Sequence, residues 1–595
     1  MCLAISLLIV NLLLLMKKHL LIFISILCIS SYSSAQSTWN TLTNQSPDYS
    51  AGLMILLTNG TVMCLTSDSS GMVSQDGNTW DLLTPDSTGS YLNGTWTQLP
   101  PMHDTRLYCS SWIMPDGNVY VGGGEYGTGI STAELYNTTT QTWKYVTGMP
   151  ANCEIYDGSC ENLSDGTILQ GLVYNSSYQL TGNLLYNESK NSFSVAASCF
   201  QAHDEVSWIK LPDGSIMSAD AESITSERYI PKLKKWIIDS NLHNYIMDRT
   251  VGETGPALLL PNGKAFFFSD STYTAIYTPS GDTNKGSWAQ GPAMPVDSGV
   301  QLGCPDAPAA MMPNGNILCA MGPAASYKSP TYLFEYNYLS NKFKQVSSPV
   351  GGDTIPGDPV FANNMLVLPD GTILYSIQGN TTFYQYVPSG SPIASGKPVI
   401  DNIIPSCPSF KITGKLFNGI SEGAAYGDDW QMATNYPIVR LTKGMHVYYA
   451  TTSNWNRIGA VMTDSLEDTA TFIIPPMPTG VYSVQVIANG IASSPYNLTL
   501  TCTAIGVMDI EPTDNTISVY PNPGKGIFTF ESSGLSKESS IEVYDMLGEK
   551  VYSILNITNS AFNIDLSDQP SGVYYYRVYI NAHTLLGSGK LILEK

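Results

Sequence analysis

Counting back eight or nine residues from a recurring Asp-Gly or Asn-Gly pair lands four times on an acid: Asp157, Glu205, Glu253 and Asp306. Asp204 lies beside Glu205, and Asp358 opens the next repeat at a longer spacing. Carboxylates gathered this way can hold Ca²⁺ through oxygen ligands or accept hydrogen bonds from sugar hydroxyls. A pair of them can also act as acid and base on a glycosidic bond. The plain alternative is that each acid caps its own loop. Other chemistry-bearing side chains are sparse: beyond the first 35 residues the histidines are His103, His203, His243, His446 and His583.

Something must bring carboxylates so distant in sequence to one place, and the repeats supply it. The turn signal occurs as "LTNGTV" at Gly60, "MPDGNV" at Gly117, "LSDGTI" at Gly166, "LPDGSI" at Gly214, "LPNGKA" at Gly263, "MPNGNI" at Gly315 and "LPDGTI" at Gly371. Asp-Gly and Asn-Gly give the positive φ values that a tight hairpin needs. These seven copies recur at a period near fifty residues, each followed by an aromatic-bearing strand. They predict four-stranded blades of a seven-bladed propeller, with the acids leading the innermost strands toward one mouth of the channel.

A second spacing agrees. Tyr136 stands seven residues before Trp143, as do Tyr186 before Phe193, Tyr229 before Trp236 and Tyr336 before Phe343. Such pairs place one aromatic on the third strand and one on the fourth, with their rings between blades. The last repeat has Tyr386 but no following partner, whereas "STWNTLT" near the start resembles the blade-ending "GTWTQLP" at Trp96. The strand around Trp39 is therefore expected to complete the last blade and remove its free edges.

The stretch "PDGNVYVGGGEYGTGISTAELYNTTTQTW" resembles a kelch repeat; only this copy keeps the consecutive glycines. From Pro398 alternating strands run to Cys502, as in an Ig-like sandwich, and the segment is similar to the domain that follows the propeller in galactose oxidase-like proteins. That resemblance spans residues 37–502. It implies one copper and a tyrosine radical crosslinked to a cysteine, held by two histidines and two tyrosines on the propeller axis. His446, after Arg440 in "VRLTKGMH", matches the loop that donates a copper histidine, and Cys109 matches the crosslinking cysteine. The family's adjacent Tyr-His pair is missing from the sequence; Asp306 in "GCPDAPAAMMPNG" occupies the histidine's place. Copper is thus not expected, and His446 reads as an ordinary strand-edge residue.

The final segment carries "VYPNPGKGIFTF", "IEVYDMLGEKVY" and "SGVYYYRVYI" in order. It resembles the C-terminal sorting domain of type IX secretion, which implies passage to the outer-membrane surface or the medium and contact with that secretion machinery. At the other end, "MKKHLLIFISILCISSYSSAQS" reads as a signal peptide cleaved after Ala35. The expected organisation is residues 1–35 signal peptide, 36–397 propeller, 398–503 Ig-like domain, 504–516 linker and 517–595 a small sorting-domain sandwich.

Export into oxidising conditions makes disulfides possible. Nine cysteines follow the signal peptide, an odd number, and Cys407 and Cys502 bracket one domain and form the expected pair. A formal charge of −21 argues against nucleic acid as a partner. The reading that results is a secreted all-β protein that recognises an extracellular glycan or protein at the propeller mouth without redox chemistry. No cofactor is expected except possible Ca²⁺. A copper radical oxidase is the first alternative, and a carboxylate-based polysaccharide hydrolase or lyase the second.

Overall fold

The computed structural model describes residues 37–68, 71–175, 181–247, 254–423, 434–460, 466–501, 517–532, 539–545, 549–557, 559–580 and 584–595. The expected signal peptide and linker, together with Glu253, Cys502 and His583, lie outside the described residues. The chain divides into two compact units, Met1–Ala504 and Ile505–Lys595.

In the first unit seven four-stranded antiparallel sheets follow one another, the sixth widened by short extra strands. Numbered in order, their innermost strands are Tyr49–Leu56, Ser110–Ile113, Cys160–Asn162, Trp208–Lys210, Ala257–Leu259, Ala309–Met311 and Asn363–Val367. These strands lie side by side, and the first packs against the last, which is the ring of a β-propeller. Each innermost strand ends in one of the Asp/Asn-Gly turns, whose glycines take φ from +77° to +88°. The turn acid or amide is needed as much as the glycine. Its side chain accepts the backbone N–H two residues on, as Asp165 does from Thr167 at 3.0 Å and Asp213 from Ser215 at 3.0 Å.

The closing strand is where the aromatics placed it. Thr38–Thr41 pairs with Tyr384–Val387 in sheet 7, with Trp39 opposite Tyr386. The Trp39 ring lies 4.7 Å from that of Tyr386 and 5.2 Å from that of Tyr375, and its indole N–H donates to the Ser347 carbonyl at 2.7 Å. The seven-residue spacing is likewise a cross-strand pair: Tyr136 faces Trp143, Tyr186 faces Phe193, Tyr229 faces Trp236 and Tyr336 faces Phe343. Their rings then meet the neighbouring sheet, as Trp143 does on Trp80 at 5.7 Å and Tyr186 on Tyr120 at 5.4 Å. Aromatic contacts of this kind add to the area they bury.

Eight further antiparallel strands, from Val399–Ser406 to Tyr496–Leu500, form the β-sandwich that follows. It packs on the turn face of the propeller. A Cβ at Gly60 would overlap the Tyr449 ring at 2.5 Å, and the Tyr436 hydroxyl donates to the Leu56 carbonyl at 2.5 Å. Cys407 is disulfide-bonded; its expected partner Cys502 is outside the described residues. Cys64, Cys109, Cys153, Cys160, Cys199, Cys304 and Cys319 are buried.

The second unit stacks a three-stranded sheet beginning at Ser518–Tyr520 on a four-stranded one ending at Thr584–Leu593. Phe528, Phe530, Ile541, Val543, Tyr576 and Leu591 form its core.

Candidate functional site at the propeller mouth

Opposite the turn face, loops lead into each innermost strand. The residue nine before each turn glycine is Tyr108, Asp157, Glu205, Thr254 and Asp306 in sheets 2 to 6. This register is fixed by side chains. Ser110 donates its hydroxyl to the Gly158 carbonyl in sheet 3. Ser159 donates to Val206 O at 2.7 Å and Ser207 to Gly255 O at 2.8 Å, so one serine position links sheets 2 to 5 in sequence. In that register Thr254 holds the sheet 5 place and donates from both its N–H and its hydroxyl to the Glu205 carbonyl.

An acid that the sequence count passed over completes the cluster. Glu125 sits in the loop between the second and third strands of sheet 2, inside "GGGEYG". Gly123 and Gly124, at φ +71° and +125°, bend that loop onto the neighbouring one, where Gly124 N–H donates to Tyr156 O at 2.6 Å. A Cβ on Gly123 would lie 2.4 Å from both Ile155 and the Tyr156 carbonyl, so only glycine permits this approach. The consecutive glycines that resemble a kelch signature thereby set Glu125 over Asp157. Carboxylate oxygens of Glu125, Asp157 and Glu205 come within 4.8 Å of one another.

Burial and crowding raise the proton affinity of two of these acids, Glu125 and Asp204. Burial, followed by the charge of Asp157, pushes Glu125 up to about 7, with Asp306 and Asp204 adding to it. Burial and a hydrogen bond shared with Asp157 push Asp204 up to about 6. Tyr126, buried in part and hydrogen-bonded to Glu125, rises to about 12. Tyr108 closes the inner side: its hydroxyl lies 3.1 Å from Ser74 Oγ and 3.2 Å from Gln378 Oε1. Asp157, Glu205, Asp204 and Asp306 thus share one electrostatic neighbourhood with Glu125, and it offers oxygens to a cation or to hydroxyl groups.

These shifts fix a sign for pH dependence. Glu125 and Asp204 hold their protons in the fold after the unfolded chain has released them. Their contribution is present below about pH 4 and is lost as pH rises through about 6 to 7. Melting temperature should fall from pH 5 to pH 8, and Glu125→Gln should flatten the fall. Glu188, raised to about 8 by burial and by Asp116, acts in an overlapping window, so the difference between the two proteins is the quantity to read. Parallel curves for wild type and variant would contradict this electrostatic picture.

The two residues matched to a copper site, His446 and Cys109, lie apart. His446 is exposed at the Lys443–His446 hairpin turn, and the next residue's N–H donates to Ser87 O at 2.8 Å on the turn face. Cys109 is buried at the mouth end of sheet 2, so the structure does not bring the two together. The sandwich segment that reaches the innermost strands is instead Phe417–Gly423, and it carries a glutamate. Glu422 Oε1 lies 2.8 Å from Lys210 Nζ, which also meets Glu161 at 2.8 Å and sits 4.7 Å from the centre of the Trp112 ring.

A second cluster, Cys199, His203 and Glu227, also has ligand atoms within 4.8 Å. It reads as a structural latch. Glu227 accepts the Phe200 and Gln201 N–H groups, just as Glu134 of sheet 2 accepts those of His103 and Asp104. His203 is held from its other side by the Trp208 indole N–H at 2.9 Å. A cleft of about 1070 Å³ lies on the turn face, lined among others by Asp165, Lys190, Asp213, Lys232 and Asp282. It is remote from the mouth carboxylates.

Comparison with known proteins gives one family: the secretion system C-terminal sorting domain matches residues 518–594. The protein is accordingly exported by type IX secretion, to the cell surface or the medium. Among solved structures the chain is similar to a fungal alcohol oxidase of the AA5 family in complex with copper. Identity is 13% and the TM-score 0.47, over 78% of this chain and 100% of that one. It is also similar to a catalytically inactive virginiamycin B lyase from Staphylococcus aureus with quinupristin, at 11% identity and a TM-score of 0.40, over 59% of this chain and 100% of that one. At these values neither bears on the chemistry of the mouth.

Proposed function

We propose that this exported protein is a binding protein whose seven-bladed, kelch-type propeller captures an extracellular glycan at its mouth, without redox chemistry. The observation that carries the reading is the convergence of Glu125, Asp157 and Glu205 within 4.8 Å, on loops of three successive sheets. Like-charged carboxylates this close gain from any donor or cation set among them. Sugar hydroxyls supply donors, and Ca²⁺ would use the same oxygens.

A carboxylate-based hydrolase or lyase is the second reading, favoured by one feature. Glu125, raised to about 7, stands beside Asp157, and a carboxyl that exchanges its proton near neutral pH suits an acid/base mechanism.

The test is thermal melting and calorimetry of the full chain with Ca²⁺ and with neutral and amino-sugar oligosaccharides. A bound ligand should raise the melting temperature by binding the folded state. Replacing Glu205 and Asp306 with Gln and Asn should abolish that rise, while the unliganded variant melts no lower than wild type. An unliganded variant that unfolds readily would make the carboxylates loop caps and remove the binding reading. Release of reducing ends or unsaturated products from a polysaccharide, lost in Glu125→Gln, would favour the second reading.

A further inference from the structure

We infer that the mouth face binds an extended polysaccharide chain bearing free amino groups, laid across several sheets; this rests on the glycan reading above and names its substrate class. Every exposed tyrosine or phenylalanine among the described propeller residues lies on this face. Tyr126 and Tyr145 belong to sheet 2, Tyr174 to sheet 3 and Phe200 to the loop leading into sheet 4. Tyr245 and Tyr273 flank the inner strands of sheet 5, and Tyr327 belongs to sheet 6. The turn face shows none of these rings. Its exposed apolar side chains are aliphatic, Leu233 and Leu339, and Lys190, Lys232 and Lys234 stand there.

Charge separates the two faces in the same sense. The mouth loops carry acids on all seven sheets, and among the described residues Lys328 is their only exposed lysine or arginine, Arg106 being buried. Such a face repels a uronate- or sulfate-bearing polymer. Ammonium groups are attracted both by the carboxylates and by the faces of the aromatic rings. The rings are dealt out one or two to a sheet. A protein partner calls for a contiguous, dehydrated apolar centre, whereas a sugar ring lays its C–H face on a single aromatic. Aromatics repeated from sheet 2 to sheet 6 around an acidic centre suit a chain of such rings.

The experiment is calorimetric titration of the full chain with β-1,4-linked glucosamine oligomers of two and six units, with their N-acetylated counterparts and with glucose oligomers of the same lengths. The glucosamine hexamer should bind at least tenfold more tightly than the dimer and than the acetylated hexamer, and more weakly as salt is raised. Tyr174→Ala with Tyr245→Ala should cut hexamer affinity roughly tenfold, the worth of about 1.4 kcal/mol of ring contact. Because both rings are exposed, the melting temperature should stay unchanged. Equal affinity for dimer and hexamer, or no effect of the tyrosine pair, would overturn the extended chain. If binding were then still lost in Glu205→Gln, the mouth reading would stand alone. Preference for the acetylated or glucose oligomers would overturn the amino-group assignment. Binding of a polylysine peptide with no binding of any oligosaccharide would overturn both, as would no binding of any probe.

Discussion

Lys210→Met is expected to destabilise the first unit by ~3–5 kcal/mol, because it strands two buried carboxylates facing one another. Glu161, Lys210 and Glu422 are each at most 1% exposed, and Nζ lies 2.8 Å from a carboxylate oxygen on either side. Burial alone would discharge the lysine; the two glutamates more than offset it and hold its pKa above the ordinary value. Glu422 is fixed in turn, since the Ala460 N–H donates to its second oxygen at 3.1 Å and its own carbonyl accepts from Leu259 N at 2.9 Å. The triad therefore fastens the sandwich into sheets 3 to 5 at their turn-face end. Replacing all three together (Glu161→Leu, Lys210→Met, Glu422→Leu) should recover most of the loss, since a packed apolar trio avoids the desolvation of three charges. Denaturant unfolding of the full chain reads this out. A Lys210→Met protein within about 1 kcal/mol of wild type would show that the charges are not coupled as drawn.

Removing residues 37–43 should be comparably severe. The deletion takes away the Thr38–Thr41 ladder and leaves Tyr384–Val387 as an open edge, which invites pairing with another chain. Trp39→Ala alone should cost ~3 kcal/mol, the lower end for a tryptophan because its ring is half-buried. Loss of the 2.7 Å bond to Ser347 O is part of that cost. A deleted protein that stays monomeric and melts at the wild-type temperature would mean that sheet 7 closes without its N-terminal strand.

The parts of the fold that follow local rules were readable in the sequence. Turn acids that cap their own N–H and glycines at positive φ recur because every hairpin needs them, and paired aromatics report strand register directly. The closing strand was legible for the same reason: Tyr386 lacked a following partner and Trp39 had no other role. The site was only half legible. Asp157, Glu205 and Asp306 follow from counting back from the turns, and the same count of nine from the sheet 5 glycine gives Thr254. Glu125 eluded the count because it stands between two other strands. Its position depends on the backbone freedom of Gly123 and Gly124, and the acid within the glycine run was the one available signal. Lys210 and Glu422 are 212 residues apart, so no spacing announces their contact. Nor does any spacing mark Phe417–Gly423 as the sandwich segment that meets the innermost strands.

The most direct test of the central claim is a crystal structure of the full chain with a bound amino-sugar oligosaccharide. The account predicts sugar density at the mouth, with hydroxyl or ammonium groups within hydrogen-bond distance of Glu125, Asp157 or Glu205. Density confined to the turn-face cleft beside Lys190 and Lys232, with the mouth carboxylates untouched, would contradict it.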